Sequence, residues 1–324
     1  MYADSDPELN QWVEMLRSPE LEERLVAAKN LQILGDEAAT EPLILALQDE
    51  STAVQKIAVT TLGELGSLTA VPCLIDCLGS ADKEIRTEAL NALSELVTSE
   101  HLLMLLNALH RDNLNMQLNV LILLRKIHDA QALPHLLPFF QSESACLREA
   151  AVDTLSYLNQ VERCQPALAL MSDPDDNVRC TAALTLGHLA DKEVVPLLCK
   201  ALSSDSNWQV RRNAAKSLRM HASATDIPAL RTALEDEHWQ VRKFAAQVLQ
   251  DVADNSVLPA LVKALSDESS DVRRDAAIAL GNLGNPSALN ALQQTLDDPD
   301  MDVCVYTKRA IQKLQSSVQE TAND

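Results

Sequence analysis

The chain has 324 residues and a net charge of −20, with 47 Asp and Glu against 27 Lys and Arg. Phosphate backbones repel such a balance, so generic nucleic-acid binding is disfavoured. Aromatics make up 3% of the chain and glycines number seven, so a phosphate-cradling loop is not expected, and neither G-x-x-x-x-G-K-[ST] nor G-x-G-x-x-G occurs.

In chain order, MYADSDPELNQW lacks the basic and apolar regions of a signal peptide. Residues 7–17, with Leu9, Trp12, Val13 and Leu16, read as a lone second helix of a hairpin. Residues 1–18 are therefore expected to form an N-terminal half-repeat. A repeating array then starts at Glu23 and passes Val54, Ile85, Met116, Leu147, Val178, Val210, Val241, Val272 and Val303. All steps are equal except the one between Val178 and Val210, which is longer by a single residue. Four residues after each anchor comes a small or β-branched residue, from Ala27 and Ala58 to Thr307; eight after comes a branched aliphatic, from Leu31 and Leu62 to Ile311. Offsets 0, +4 and +8 share one helix face. This is helix A of each repeat. Gly35, Gly66 and Gly284 suit its left-handed C-terminal closure.

A proline follows, at Pro42, Pro72, Pro134, Pro166, Pro196, Pro228 and Pro259, where the first turn of a short helix B tolerates it. Asp49, Asp173, Asp205, Asp236, Asp267 and Asp298 stand five residues before the next anchor and suit the turn and N-cap that restart helix A. The tenth helix A is expected over about 300–316, and residues 317–324 read as a polar, frayed tail. The array over 19–316 thus predicts an all-α solenoid superhelix of about ten two-helix repeats and about twenty helices, forming one elongated domain, because a single repeat cannot bury its own apolar face.

No run of about 18 apolar residues exists, so no membrane-spanning helix is expected. Seven scattered cysteines suit reduced thiols and a cytoplasmic location.

One residue past the anchors stand Arg24, Arg86, Arg148, Arg179, Arg211, Arg242 and Arg273. The pattern Asp-x(4)-Val-Arg-x-x-Ala-Ala-x-x-Leu-Gly-x-Leu-Gly, then Ala-Val-Pro-x-Leu-x-x-Ala-Leu, resembles the HEAT-like repeats of the phycobilisome-lyase type. The copies from Asp173 to Leu202 and from Asp267 to Leu292 come nearest to it. The arginines read as a structural ladder tying repeats together through neighbouring Asp residues.

The resemblance implies that B helices line the concave side, where Cys73, Asp76, His135, Pro138, Leu197, Lys200, Thr232 and Lys263 face outward. Two other features suit a protein partner. Trp208 and Trp239 lie one period apart at the start of helix A, with His238 beside them and a basic row of Arg212, Lys243 and Arg274. Residues 97–145 are more apolar than the rest and hold His135, Phe139 and Phe140, so they suit either a binding patch or a tighter core. HEAT-like di-iron deoxyhypusine hydroxylases carry His-Glu pairs as metal ligands, and no His here is followed by Glu. Cys73 and Cys77 lack a second pair at zinc spacing, and His188 and His221 read as core-facing. No catalytic set and no metal site are expected.

The leading functional expectation is a non-catalytic scaffold or adaptor that binds another protein, with no cofactor. The resemblance implies an alternative: a bilin lyase subunit or chaperone handling a linear tetrapyrrole such as phycocyanobilin, as a heterodimer with a second HEAT-like protein. A further alternative is an assembly factor for a metal or iron–sulfur protein that uses the free thiols.

Overall fold

The computed structural model describes residues 7–189 and 191–323, with side chains described as far as residue 316. Twenty α-helices and no strand occur among the described residues. The chain packs as two compact units, residues 1–161 and 162–324.

In the first unit the A helices are α2 (Leu21–Leu34), α4 (Thr52–Leu65), α6 (Lys83–Leu96), α8 (Leu114–Ile127) and α10 (Ala145–Leu155). Its B helices are α1 (Pro7–Met15), α3 (Thr40–Ala46), α5 (Val71–Cys77), α7 (Leu102–Leu109) and α9 (Leu133–Leu136). In the second unit the A helices are α12 (Asp176–Thr185), α14 (Trp208–Leu218), α16 (Trp239–Val252), α18 (Ser270–Leu283) and α20 (Met301–Asn323). Its B helices are α11 (Gln165–Leu168), α13 (Val194–Ser204), α15 (Ile227–Ala233), α17 (Leu258–Ala264) and α19 (Leu289–Gln294). The architecture is an α-solenoid: within each unit, successive A helices pack side by side and the B helices pack on the A helices that follow them, the 3-10 segment Ala169–Ser172 after α11 taking that place against α12. The last helix runs past residue 316 to Asn323.

The periodic seam is the core. The aliphatics at +8, from Leu31 to Leu280, are fully buried, and every anchor from Val54 to Val303 is buried, whereas the degenerate anchor Glu23 is exposed. Small residues let A helices approach closely. At Gly187 an added Cβ would lie 2.2 Å from Ser217 Cβ on the next A helix, and at Gly63 it would lie 2.7 Å from Ala92 Cβ. Gly35, Gly66 and Gly284 close their helices at φ +62°, +67° and +74°. His128 closes α8 the same way at φ 58°, held by a 2.8 Å hydrogen bond between its Nδ1 and the Tyr157 carbonyl.

The ladder aspartates are not N-caps. The cap lies two residues further on, at Ser51, Asp175, Asn207, His238, Ser269 and Asp300. Each aspartate instead accepts the backbone N–H of that residue, as Asp205 accepts from Asn207 at 2.9 Å, so it shapes the turn before the helix. In Asp49, Asp205, Asp236, Asp267 and Asp298 both carboxylate oxygens also face the arginine of the preceding repeat.

Candidate functional site

All seven ladder arginines use Nη1 to donate to two carbonyls of the turn before their own helix; Arg211, for example, donates to Asp205 O at 2.9 Å and Ser206 O at 3.3 Å. Arg24, Arg179, Arg211, Arg242 and Arg273 then grip the next repeat's aspartate with Nε and Nη2: Asp49, Asp205, Asp236, Asp267 and Asp298. The forked geometry suits a planar guanidinium and would not suit lysine. At the residue where Arg86 would find its aspartate stands Arg111, which pairs with Asp76 instead.

Two tryptophans open consecutive A helices on this rim. Trp208 is half-buried, and its ring contacts are taken inside the molecule. The His238 ring lies parallel to it, with centroids 4.8 Å apart and planes 5° apart, and the Arg212 guanidinium stands 5.3 Å over the indole. Such contacts contribute about 0.5–1.5 kcal/mol each. The His238 Nδ1 is buried 3.4 Å from Glu237 Oε1 and 3.7 Å from Asp236 Oδ1, without an aligned hydrogen bond. Trp239 keeps only the cationic contact, with Lys243 Nζ 5.8 Å over its ring, and it is 37% exposed. Of the basic row, Lys243 pairs with Asp271 at 2.7 Å, Arg274 with Asp271 at 2.7 Å and Asp275 at 3.1 Å, and Arg212 donates to Asn213 Oδ1. The row expected as a free cationic contact is therefore largely neutralised by the protein's own acids.

The HEAT-repeat family model matches residues 9–94, 74–156, 164–237 and 227–312. The chain belongs to the HEAT-repeat family. No curated protein sequence matches it. Its fold is similar to that of an engineered protein, at 21% identity and a TM-score of 0.56, covering 96% of this chain and 99% of that one. It is also similar to a chain from a structure of Kap95p with RanGDP, at 16% identity and a TM-score of 0.60; the alignment covers 96% of this chain and half of the other.

The remaining candidates lie in the HEAT repeats of the first unit. Phe139 and Phe140, partner-contact candidates in a stretch that suits either a binding patch or a tighter core, are buried, so these two side chains belong to the core. They fill the register positions of Ala108 and Leu109 one repeat earlier, and both of those are core residues. The helix B that carries them is reduced to one α-helical turn followed by a 3-10 segment, Leu137–Gln141. His135 is half-buried, and its Nδ1 hydrogen-bonds His110 Nε2 at 2.8 Å. The large apolar side chains of this stretch that do face solvent are Leu103, 69% exposed, with Met104, Leu114, Ile122 and Leu137. His188 is exposed, not core-facing; His221 is half-buried, its Nε2 2.6 Å from the Gly187 carbonyl.

Thiol chemistry has little support in these repeats. Burial, aided by Asp76, pushes the Cys77 thiol up to about 12, and burial with Asp226 does the same for Cys199. Such groups are poor thiolate donors at neutral pH. Among the described residues no three His, Cys, Asp or Glu side chains converge in a way that could hold a metal ion, and no helix is long and apolar enough to cross a membrane.

Ser269, at the N-cap position of α18, is a position that sequence reasoning passes over. It occupies the register position of His238, and aligning the two repeats exposes the substitution.

Proposed function

We propose that this HEAT-repeat protein is a non-catalytic scaffold that binds another protein through the rim around Trp239. The observation that carries the reading is an indole left 37% exposed at a position where its counterpart one repeat earlier is capped by a histidine ring. Tryptophan in a partly desolvated setting is among the commonest anchors of protein interfaces. The structure of Kap95p with RanGDP is an instance of a protein of similar fold in a protein complex. Trp208 is a poor probe of the idea, because its ring holds two repeats together.

Trp239→Ala isolates the surface. Affinity purification of parent and variant from the native cell, read by quantitative mass spectrometry, is expected to deplete one partner about tenfold or more in the variant. Circular dichroism should show equal helicity. Equal recovery of every partner would overturn the reading.

The repeat copies nearest to the phycobilisome-lyase type support a second reading, in which the partner is another HEAT-like protein and the pair handles a linear tetrapyrrole. Mixing the protein with phycocyanobilin separates the two. A new long-wavelength absorbance band favours the bilin reading, and its absence favours the plain scaffold. The high thiol values of Cys77 and Cys199 count against an assembly factor that works through those thiols.

A further inference from the structure

Two consecutive repeats of the second unit carry the same constellation in register, with one decisive change. Trp208, Arg211, Asp236 and Glu237 correspond, one period on, to Trp239, Arg242, Asp267 and Glu268. The ion pairs repeat too. Arg211 takes Asp236 and reaches Glu237 Oε1 at 3.1 Å; Arg242 takes Asp267 and reaches Glu268 Oε1 at 3.1 Å. In the first copy the space over the indole is filled by the His238 ring, parallel to it and beside the Glu237 and Asp236 carboxylates. In the second copy that position is Ser269, which has no ring. Its backbone N–H still donates to Asp267, as that of His238 does to Asp236, so this hydrogen bond of the turn is kept and the ring is not.

We propose that the ring of Trp239 receives an arginine guanidinium from the protein partner, seated where His238 sits against Trp208. This rests on the scaffold reading above and names the chemistry of its contact. The first copy shows what the site accepts: a flat, nitrogen-bearing group stacked on the indole with its polar edge towards two carboxylates. A guanidinium is planar, permanently charged and stacks on aromatic faces, whereas an ammonium is a compact point charge with no plane. Glu268, 78% exposed on its side chain, offers its carboxylate from the side that Glu237 occupies beside His238. The chain's net charge of −20 favours approach of a basic partner.

The test uses the full chain and nitrogen-15 NMR of the three tryptophan indoles, with acetyl-Gly-Arg-Gly-amide as the probe and the same peptide carrying neutral citrulline as its control. The Trp239 indole should shift saturably with the arginine peptide and respond at least about fivefold more weakly to citrulline. Trp12 and Trp208 should stay in place. Ser269→His, which supplies the missing ring from within, should abolish the response. Glu268→Gln should weaken the arginine response and leave the citrulline response unchanged, and it stands in if the histidine variant fails to fold. No shift at Trp239, equal shifts for both peptides, or an unaltered response in a folded Ser269→His variant would overturn the proposal. If Trp239→Ala loses its partner while the peptides show no discrimination, the scaffold reading stands and the guanidinium assignment falls. If the peptides discriminate while Trp239→Ala keeps every partner, the site exists but is not the scaffold's contact.

Discussion

Removing the Arg179 guanidinium tests whether the ladder holds the repeats together. Arg179 donates through Nε and Nη2 to Asp205 at 2.8 and 3.1 Å, and through Nη1 to the Asp173 carbonyl at 2.8 Å. The pair is nearly dry, with 13% and 8% of the two side chains exposed. Arg179→Ala leaves the Asp205 carboxylate with the Asn207 N–H as its remaining hydrogen bond. A fully stranded buried charge costs about 3–5 kcal/mol. The surviving bond and the residual solvent contact bring the expectation to about 2–3 kcal/mol. For a unit spanning 162–324, each kcal/mol moves Tm by about 2–4 °C, giving a drop of about 4–12 °C. Calorimetry should register it, and hydrogen exchange should show the loss concentrated in α12 and α14, because repeat arrays loosen locally. Lys263→Ala is the control. Its pair with Glu235 is 72% and 59% exposed, so solvent screens it and its loss should scarcely move the transition. If the two variants melt alike, the ladder does not hold the repeats together.

Gly187→Ala should destabilise by about 1–3 kcal/mol, because the new methyl would fall 2.2 Å from Ser217 Cβ and disturb the Ser217 hydrogen bond to Ala183 O; a stability matching the parent in urea melts would show that α14 can shift aside. The Arg273 hydrogen bond holds the Asp298 carboxyl below its usual 3.8. A depressed folded-state value means that this stabilisation is complete above about pH 3.8 and is lost as pH falls through the folded value. Asp298→Asn should therefore flatten the acid limb of the stability curve, and an unchanged limb would remove the assignment. Burial pushes the Cys77 and Cys199 thiols up to about 12, so both stay protonated at pH 8. Iodoacetamide should accordingly label the exposed Cys146 well before either, as read by mass spectrometry, and comparable rates would contradict burial as the cause of their inertness.

The hairpin repeat is fully legible in the sequence, since a face spaced at 0, +4 and +8 can be buried only by neighbours of the same kind. The ladder pairs are legible as chemistry; what the sequence misplaces is the helix cap, by two residues. An aspartate five residues before the anchor looks like a cap, yet the cap must sit where its oxygen reaches the N–H groups of the first turn, as Asp82 reaches Glu84 and Ile85. Phe139 and Phe140 look like surface only while residues 97–145 are read by their apolar excess; one period earlier the same register holds Ala108 and Leu109, both buried, so the repeat itself places the two rings in the core. The neutralised basic row is hidden for another reason. Lys243 finds its acid, Asp271, on the next A helix, nearly a full period further along the chain and invisible to any scan of one repeat.

The contrast between the two tryptophans separates an interaction site from an accident of the repeat edge, and stability decides between them. If Trp239 were exposed merely because the rim is permissive, the space over its ring would offer nothing to a stacking partner. If the space is a receptor that has kept the geometry of the preceding repeat, Ser269→His should fill it from within and contribute about 0.5–1.5 kcal/mol, the usual worth of an aromatic pair. In a unit of this size that is a Tm rise of about 1–6 °C, accompanied by altered Trp239 fluorescence. An unchanged or lower Tm, with the Trp239 emission of the parent, would mean that the second copy has lost the shape of the first. Register is what matters here. Trp208 and Trp239 are the same residue in the same place, and the residue at the cap of the following A helix, His238 in one copy and Ser269 in the other, is what the Ser269→His variant exchanges.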